Sequence, residues 1–151
     1  MKNYDKILFV SKSNTATSPM AEAILQNRFR LEDILIESRG LVVLFPEPIN
    51  PKAEAVLVRN GLTMKNHIST ALTADDFDPR TLVLAMDSDV KSKVLDTFTK
   101  AQNVFTLAEF TQTEEDVFDP YGGSLGEYGR CYEQLSLLVA LLENKIKEEE
   151  Q

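Results

Sequence analysis

Four short apolar runs, at 7–10, 34–36, 81–86 and 104–107, punctuate a chain whose other hydrophobic positions recur every three or four residues. Each run is rich in Val, Ile, Leu or Phe and shows no apolar–polar alternation. That is the pattern of parallel strands covered on both faces. Between the runs the spacing is helical. Met20, Ala21, Ile24, Leu25 and Phe29 follow Ser18-Pro19, a serine suited to cap a helix and a proline suited to its first position. A second helix is predicted over 51–60, closed by Gly61, the residue type that ends helices. A third is predicted over 89–98. The last, over 127–148, carries Tyr128, Cys131, Tyr132, Leu135, Leu138, Val139 and Leu142 along one face. Alternating strands and helices predict an α/β fold, a three-layer sandwich around a central parallel sheet with right-handed crossovers. No repeat or linker interrupts the pattern, so residues 1–151 read as a single domain ending in the charged tail KIKEEEQ.

Composition narrows the function classes. A chain of 151 residues buries roughly two-thirds of its unfolded surface, enough for a core without staples. With 16 basic residues against 24 acidic ones, a net charge of −8, it lacks the basic surface that nucleic acid requires. Any phosphate site is therefore a local feature working against the global field. The single cysteine, Cys131, builds neither a disulfide framework nor a cysteine zinc cluster and fits a reducing cytoplasm. The apolar run in MKNYDKILFV is too short for a secretory leader or a membrane span.

In parallel α/β folds ligands bind beyond the carboxyl ends of the strands. After the first strand comes Ser11-Lys12-Ser13-Asn14-Thr15-Ala16-Thr17, small and polar, leading into the helix near Ser18. A loop that delivers several backbone N–H groups into a helix N-terminus is an anion site by geometry and dipole. By composition alone the plainer reading is favoured, a polar turn capped by Ser18.

The wider motif shifts that balance. The segment FVSKSNTATSPMAEAIL resembles the phosphate loop of low-molecular-weight protein tyrosine phosphatases, with Asn14, Ser18, Pro19, Met20, Ala21 and Glu22 in register. Ser38-Arg39-Gly40 stands where that family often has Ser-Ala-Gly. His67 stands at its histidine after the second helix, and residues 82–87 resemble its third strand. Asp119-Pro120-Tyr121-Gly122-Gly123 is similar to the acid-bearing loop, especially in the bacterial branch that includes protein-arginine phosphatases. The resemblance implies a four-stranded sheet in order 2-1-3-4 and a site at its carboxyl edge. It implies neither metal nor cofactor.

The departures fall on the chemistry. Ser11 stands at the nucleophilic cysteine, Thr17 at the phosphate-clamping arginine, Ala16 at the second loop cysteine and Ser13 at a glycine. Thr70 stands near a frequent arginine. A helix dipole and a neighbouring cation make a thiolate near neutral pH. A serine hydroxyl needs an adjacent base, which the motif does not provide. Without arginine the bidentate clamp on the transition state is gone as well. At on the order of 3 kcal/mol each, the two losses remove roughly four decades of rate.

The resemblance then implies phosphate binding by Ser11, Lys12, Ser13, Asn14, Thr15, Ala16, Thr17 and Ser18, with Asp119 at the general-acid position. His67 either supports Asn14 by a hydrogen bond or is a surface histidine. Lys12 is expected to face solvent, and Ser13 to strain a loop built for glycine. Tyr121 and Phe45 either wall the pocket or simply pack, and the apolar run 41–45, followed by Pro46-Glu47-Pro48, is either a partner patch or, as is commoner for such runs, partly buried. Cys131 reads as a packed thiol. The leading functional reading is a pseudophosphatase that binds phosphate or a phosphorylated protein with negligible turnover. A weakly active phosphomonoesterase of the tyrosine or arginine phosphatase type is the enzymatic alternative. A flavodoxin-like FMN binder is a further one, disfavoured by the absence of tryptophan and by the length of the phosphatase match. Arsenate reductases on this fold use several cysteines and are excluded.

Overall fold

The computed structural model describes residues 4–28 and 34–149, so Phe29 of the first helical pattern lies outside the described residues. Strands β1 (Lys6–Ser11), β2 (Leu35–Gly40), β3 (Thr81–Ala85) and β4 (Val104–Thr106) form one parallel sheet in the order β2-β1-β3-β4. Among the described residues five α-helices accompany it: α1 (Thr17–Arg28), α2 (Pro51–Arg59), α3 (Ser88–Thr97), α4 (Leu107–Phe110) and α5 (Leu125–Glu149).

The missing alternation in the strands has a simple cause. Ile7, Phe9, Leu82 and Leu84 point to one face and pack with Met20, Leu25, Ala53, Leu57, Leu135 and Leu138 from α1, α2 and α5. Their neighbours Leu8, Val10, Val83 and Ala85 point to the other, against Leu72, Phe77 and, from α3, Val90 and Val94. Both faces of every central strand are therefore apolar, and helices cover the sheet on both sides.

Local signals place the element ends. The Asn50 side chain accepts from the amides of Lys52 and Ala53, starting α2 at Pro51, and Gly61 takes a φ of +79° just beyond its end. Asp87 caps α3 by accepting from Val90 N. The fourth strand is shorter than its apolar run predicts. Thr106 Oγ1 accepts from Glu109 N while Glu109 Oε1 accepts from Thr106 N, a reciprocal cap that turns Leu107 into the first residue of α4. The last helix begins at Leu125, two residues ahead of expectation, after Ser124 Oγ accepts from Glu127 N. Among the described residues no helix is long and apolar enough to cross a membrane.

Candidate functional site: a phosphate-loop cavity

β1 ends at Ser11, at the centre of the sheet, and α1 begins at Thr17. The helix therefore starts one residue before Ser18, which does not cap it. Ser18 lies inside the first turn and is fully buried, and its hydroxyl reaches back to Ser11 Oγ at 2.6 Å. Pro19 follows at the third helical position, where a missing N–H costs no intrahelical bond.

Carbonyls and amides of the loop are sorted to opposite sides. Ser11 O accepts from Leu41 N, Lys12 O from Val42 N, Thr15 O from Asn50 N and Ala16 O from Met20 N. His67 Nε2 lies 2.7 Å from Asn14 O, and because a carbonyl only accepts, the ring nitrogen is the donor. With these carbonyls engaged, the amides of Ser13, Thr15, Ala16 and Thr17 have no acceptor among the described residues, and all four residues line the cavity. Successive unpaired amides at a helix N-terminus form an anion nest.

Asn14 holds this shape from below. It is fully buried with φ at +60°, a left-handed conformation that asparagine tolerates better than most residues. Its Oδ1 accepts from Thr70 N at 2.9 Å, while Nδ2 donates to Ser18 Oγ and Ser38 Oγ, both at 2.9 Å. Ser38 in turn donates to Glu22 Oε1 at 2.6 Å. Burial pushes the Glu22 carboxyl above its ordinary value, and the Ser38 hydrogen bond only partly opposes this. At the end of β2, a Cβ on Gly40 would sit 2.9 Å from the Ser13 carbonyl carbon and 3.0 Å from Asn14 Cβ, so only glycine lets the strand abut the loop.

Ser13 does not strain the loop. The left-handed position is Asn14, whereas Ser13 lies outside that region and its exposed hydroxyl meets Thr15 Oγ1 at 2.7 Å. Lys12 is exposed at the rim.

The nest opens into a cavity of about 820 Å³. Ser11, Lys12, Ser13, Thr15, Ala16 and Thr17 line it together with Asp119 and Tyr121 of the loop before α5. Asp119 is exposed and its Oδ1 accepts from Tyr121 N at 3.0 Å, folding the carboxylate over a local turn. Lys52 Nζ donates to Gly123 O at 2.6 Å and ties this loop to α2. Asn14, Ser18 and His67 lie behind the wall rather than in it. Phe45 is 68% exposed and outside the lining, so it does not wall the cavity. The run 41–45 is more open than expected, with Val42, Leu44 and Phe45 exposed and only Leu41 and Val43 half-buried. Cys131 is buried, donates to Phe118 O and has its thiol pushed up to about 12 by burial and then by the Asp119 charge.

Two carboxylates in the cavity wall escaped sequence reasoning, Glu47 and Asp87. Asp87 had a signal, since it follows β3 at the sheet edge where ligands bind. Glu47, in an irregular segment, had none. Glu22 and Ser38 sit inside matched motifs but carry no role until the buried chain beneath the loop is seen.

A polar loop at the end of a central parallel strand faces an aspartate-bearing loop across one cavity of an α/β sandwich. The profile for "Low molecular weight phosphotyrosine protein phosphatase" matches residues 6–151, and the chain belongs to that family. It is 33% identical to a protein-arginine-phosphatase of Geobacillus stearothermophilus, over 96% of this chain and 98% of that one. It is 30% identical to the low molecular weight protein-tyrosine-phosphatase PtpB of Staphylococcus aureus, over 93% and 99%. Among solved structures, a Cys-to-Ser mutant of the YwlE arginine phosphatase with a phosphorylated active-site serine superposes with a TM-score of 0.86. That match has 32% identity over 94% of this chain and 95% of that one. The flavodoxin-like reading draws no support from these likenesses.

Proposed function

We propose that the chain is a pseudophosphatase, a single phosphatase-like domain that binds phosphate or a phosphorylated protein in the Ser11–Ser18 loop and turns it over negligibly. The observation that carries this reading is the row of unpaired amides on either side of Asn14, on residues that line the cavity between Ser11 and Thr17. Binding rests on the amides and on the dipole of α1. Turnover would rest on a thiolate and a guanidinium, and this loop has neither. Asp119 occupies the general-acid position with no catalytic cycle to serve, His67 and Tyr121 are supporting groups, and the expected compartment is the cytoplasm.

The relatives' names favour a second reading, a weakly active phosphomonoesterase. One experiment separates the two. Purified protein is assayed with p-nitrophenyl phosphate and with a phosphoarginine peptide, and orthophosphate binding is measured by calorimetry. Binding without continuous hydrolysis is expected. Hydrolysis at rates typical of the family, lost in Ser11→Ala, would establish the enzyme instead.

A further inference from the structure

We propose that the arch of residues 42–47, at the mouth of the cavity, docks a protein segment whose phosphorylated residue has one apolar and one basic neighbour. The proposal rests on the reading of the cavity as a phosphate site and adds the kind of partner that the site takes.

The arch holds apolar side chains out in water. Its first end is pinned where Val42 N donates to Lys12 O at 2.9 Å. Its second is pinned by buried Ser69, whose Oγ accepts from Glu47 N at 2.9 Å and whose amide donates to Glu47 O at 2.8 Å. Between these ends Val43 lies against Gly40, where an added Cβ would meet its Cγ2 at 2.9 Å. Leu44 and Phe45 are left 82% and 68% exposed. Pro46 and Pro48 fix φ on the far side, so the arch has little freedom to lose on binding. Val42 and Tyr121, both exposed, line the cavity and carry apolar surface into its mouth. Single apolar residues on a surface need no explanation, but a run of them pinned beside a cavity marks an interaction site.

Charge selects the occupant. Glu47, Asp87 and Asp119 line the cavity against the single cation Lys12, and none of the three has an ion pair among the described residues. A phosphate arriving alone meets that excess of negative charge. A phosphate on a segment that brings its own cation offsets it, while an apolar side chain of the same segment covers Leu44 and Phe45. An extended chain advances about 3.3 Å per residue, so both neighbours fall within about three positions of the phosphorylated residue. A second copy of this chain is a poor occupant, because it would set three carboxylates against their equivalents on a chain of net charge −8. An anionic lipid surface is a poor one for the same reason.

The test measures fluorescence polarisation of short labelled peptides with the full chain, and orthophosphate binding by calorimetry alongside. The central residue is phosphotyrosine in one set and phosphoarginine in the other, flanked by lysine and leucine. In at least one set, replacing leucine by serine or lysine by glutamate should weaken binding roughly tenfold. The double variant Leu44→Ser, Phe45→Ser should lose about the same factor with the lysine–leucine peptide and bind orthophosphate as the parent does. Leu137→Ser, on the exposed face of α5, should change neither. Glu47→Lys should turn the preference toward the glutamate peptide. Equal binding of all phosphopeptides, or a double variant that binds them as the parent does, would overturn the docking surface and leave the phosphate site standing. A dimer in sedimentation that the double variant dissociates would make a second copy the occupant and overturn the proposal. Capture on phosphatidylserine vesicles that the double variant abolishes would overturn it in favour of a membrane. Failure of orthophosphate and of every phosphopeptide to bind would overturn the underlying reading of the cavity.

Discussion

The two sides of one loop make the instructive contrast. The underside of the 11–18 segment is buried and fully bonded: Asn14 ties to Ser18, Ser38 and Thr70, Ser38 to Glu22, and the loop carbonyls to residues 41–50 and His67. The upper side, which faces the cavity, presents Ser11 and Thr17 where the family resemblance places a cysteine and an arginine. Loop shape and loop chemistry are therefore held by different residues. The bonds that set the loop's curvature bypass the side chains at these two positions, apart from those that Ser18 Oγ and Asn14 N make to the Ser11 hydroxyl.

The contrast breaks most sharply at Asn14. Asn14→Ala leaves Ser18, Ser38 and the Thr70 amide short of partners and puts alanine at φ +60°. The expected cost is about 3 kcal/mol in chemical denaturation, together with loss of orthophosphate binding. A variant as stable as the parent would show that the underside does not set the loop.

Restoring the upper side should restore chemistry without touching stability. Ser11→Cys supplies a sulfur nucleophile without a clamp, and Thr17→Arg a clamp without a nucleophile. The double variant should exceed the product of the singles by roughly ten- to a hundredfold in aryl phosphate hydrolysis. Asp119→Ala in that background should then lower the rate. Ser13→Gly is not required, since Ser13 already fits the loop. A double variant that folds yet remains at background would mean that more than these two groups was lost.

A smaller effect probes the seam between β2 and the loop. Gly40→Ala forces a Cβ to within 2.9 Å of the Ser13 backbone, at a cost of roughly 1–3 kcal/mol and weaker anion binding. Unchanged binding despite lost stability would decouple the strand end from the nest.

The smallest effect is a pH dependence. Burial raises the Glu22 carboxyl above its ordinary value of 4.5, so the folded state binds a proton that the unfolded state has released. Its contribution is therefore fully present below the unfolded value and is lost as pH rises through the folded one. Glu22→Gln should flatten that fall in stability with pH above 4.5, measured by denaturant titration against the parent. An unaltered slope would place the titration on another group.

Much of this was legible beforehand because it is local. Unbroken apolar runs marked strands covered on both faces, Asn50-Pro51 and Gly61 bracketed α2, and the loop match located the cavity. The errors were also local in origin. Ser18-Pro19 reads as a helix start by propensity, yet the buried network needs the Ser18 hydroxyl under Ser11, and the helix begins at Thr17 instead. Phe45, for which the sequence leaves a pocket wall or simple packing open, does neither and lies exposed, beyond Leu41 and Val42, whose amides donate to the loop carbonyls.

By itself the sequence determined the strand–helix alternation, the family and the identity of the groups missing from the loop, since each is carried by residues close together in the chain. Only the tertiary structure decided that Glu22, Ser38, Gly40 and His67 converge beneath Asn14, and that Glu47 and Asp87 join Asp119 around the cavity. Those facts depend on pairs up to dozens of residues apart. Their hydrogen-bond directions follow from which buried oxygen has no other partner, a question that exists only once the chain has closed on itself.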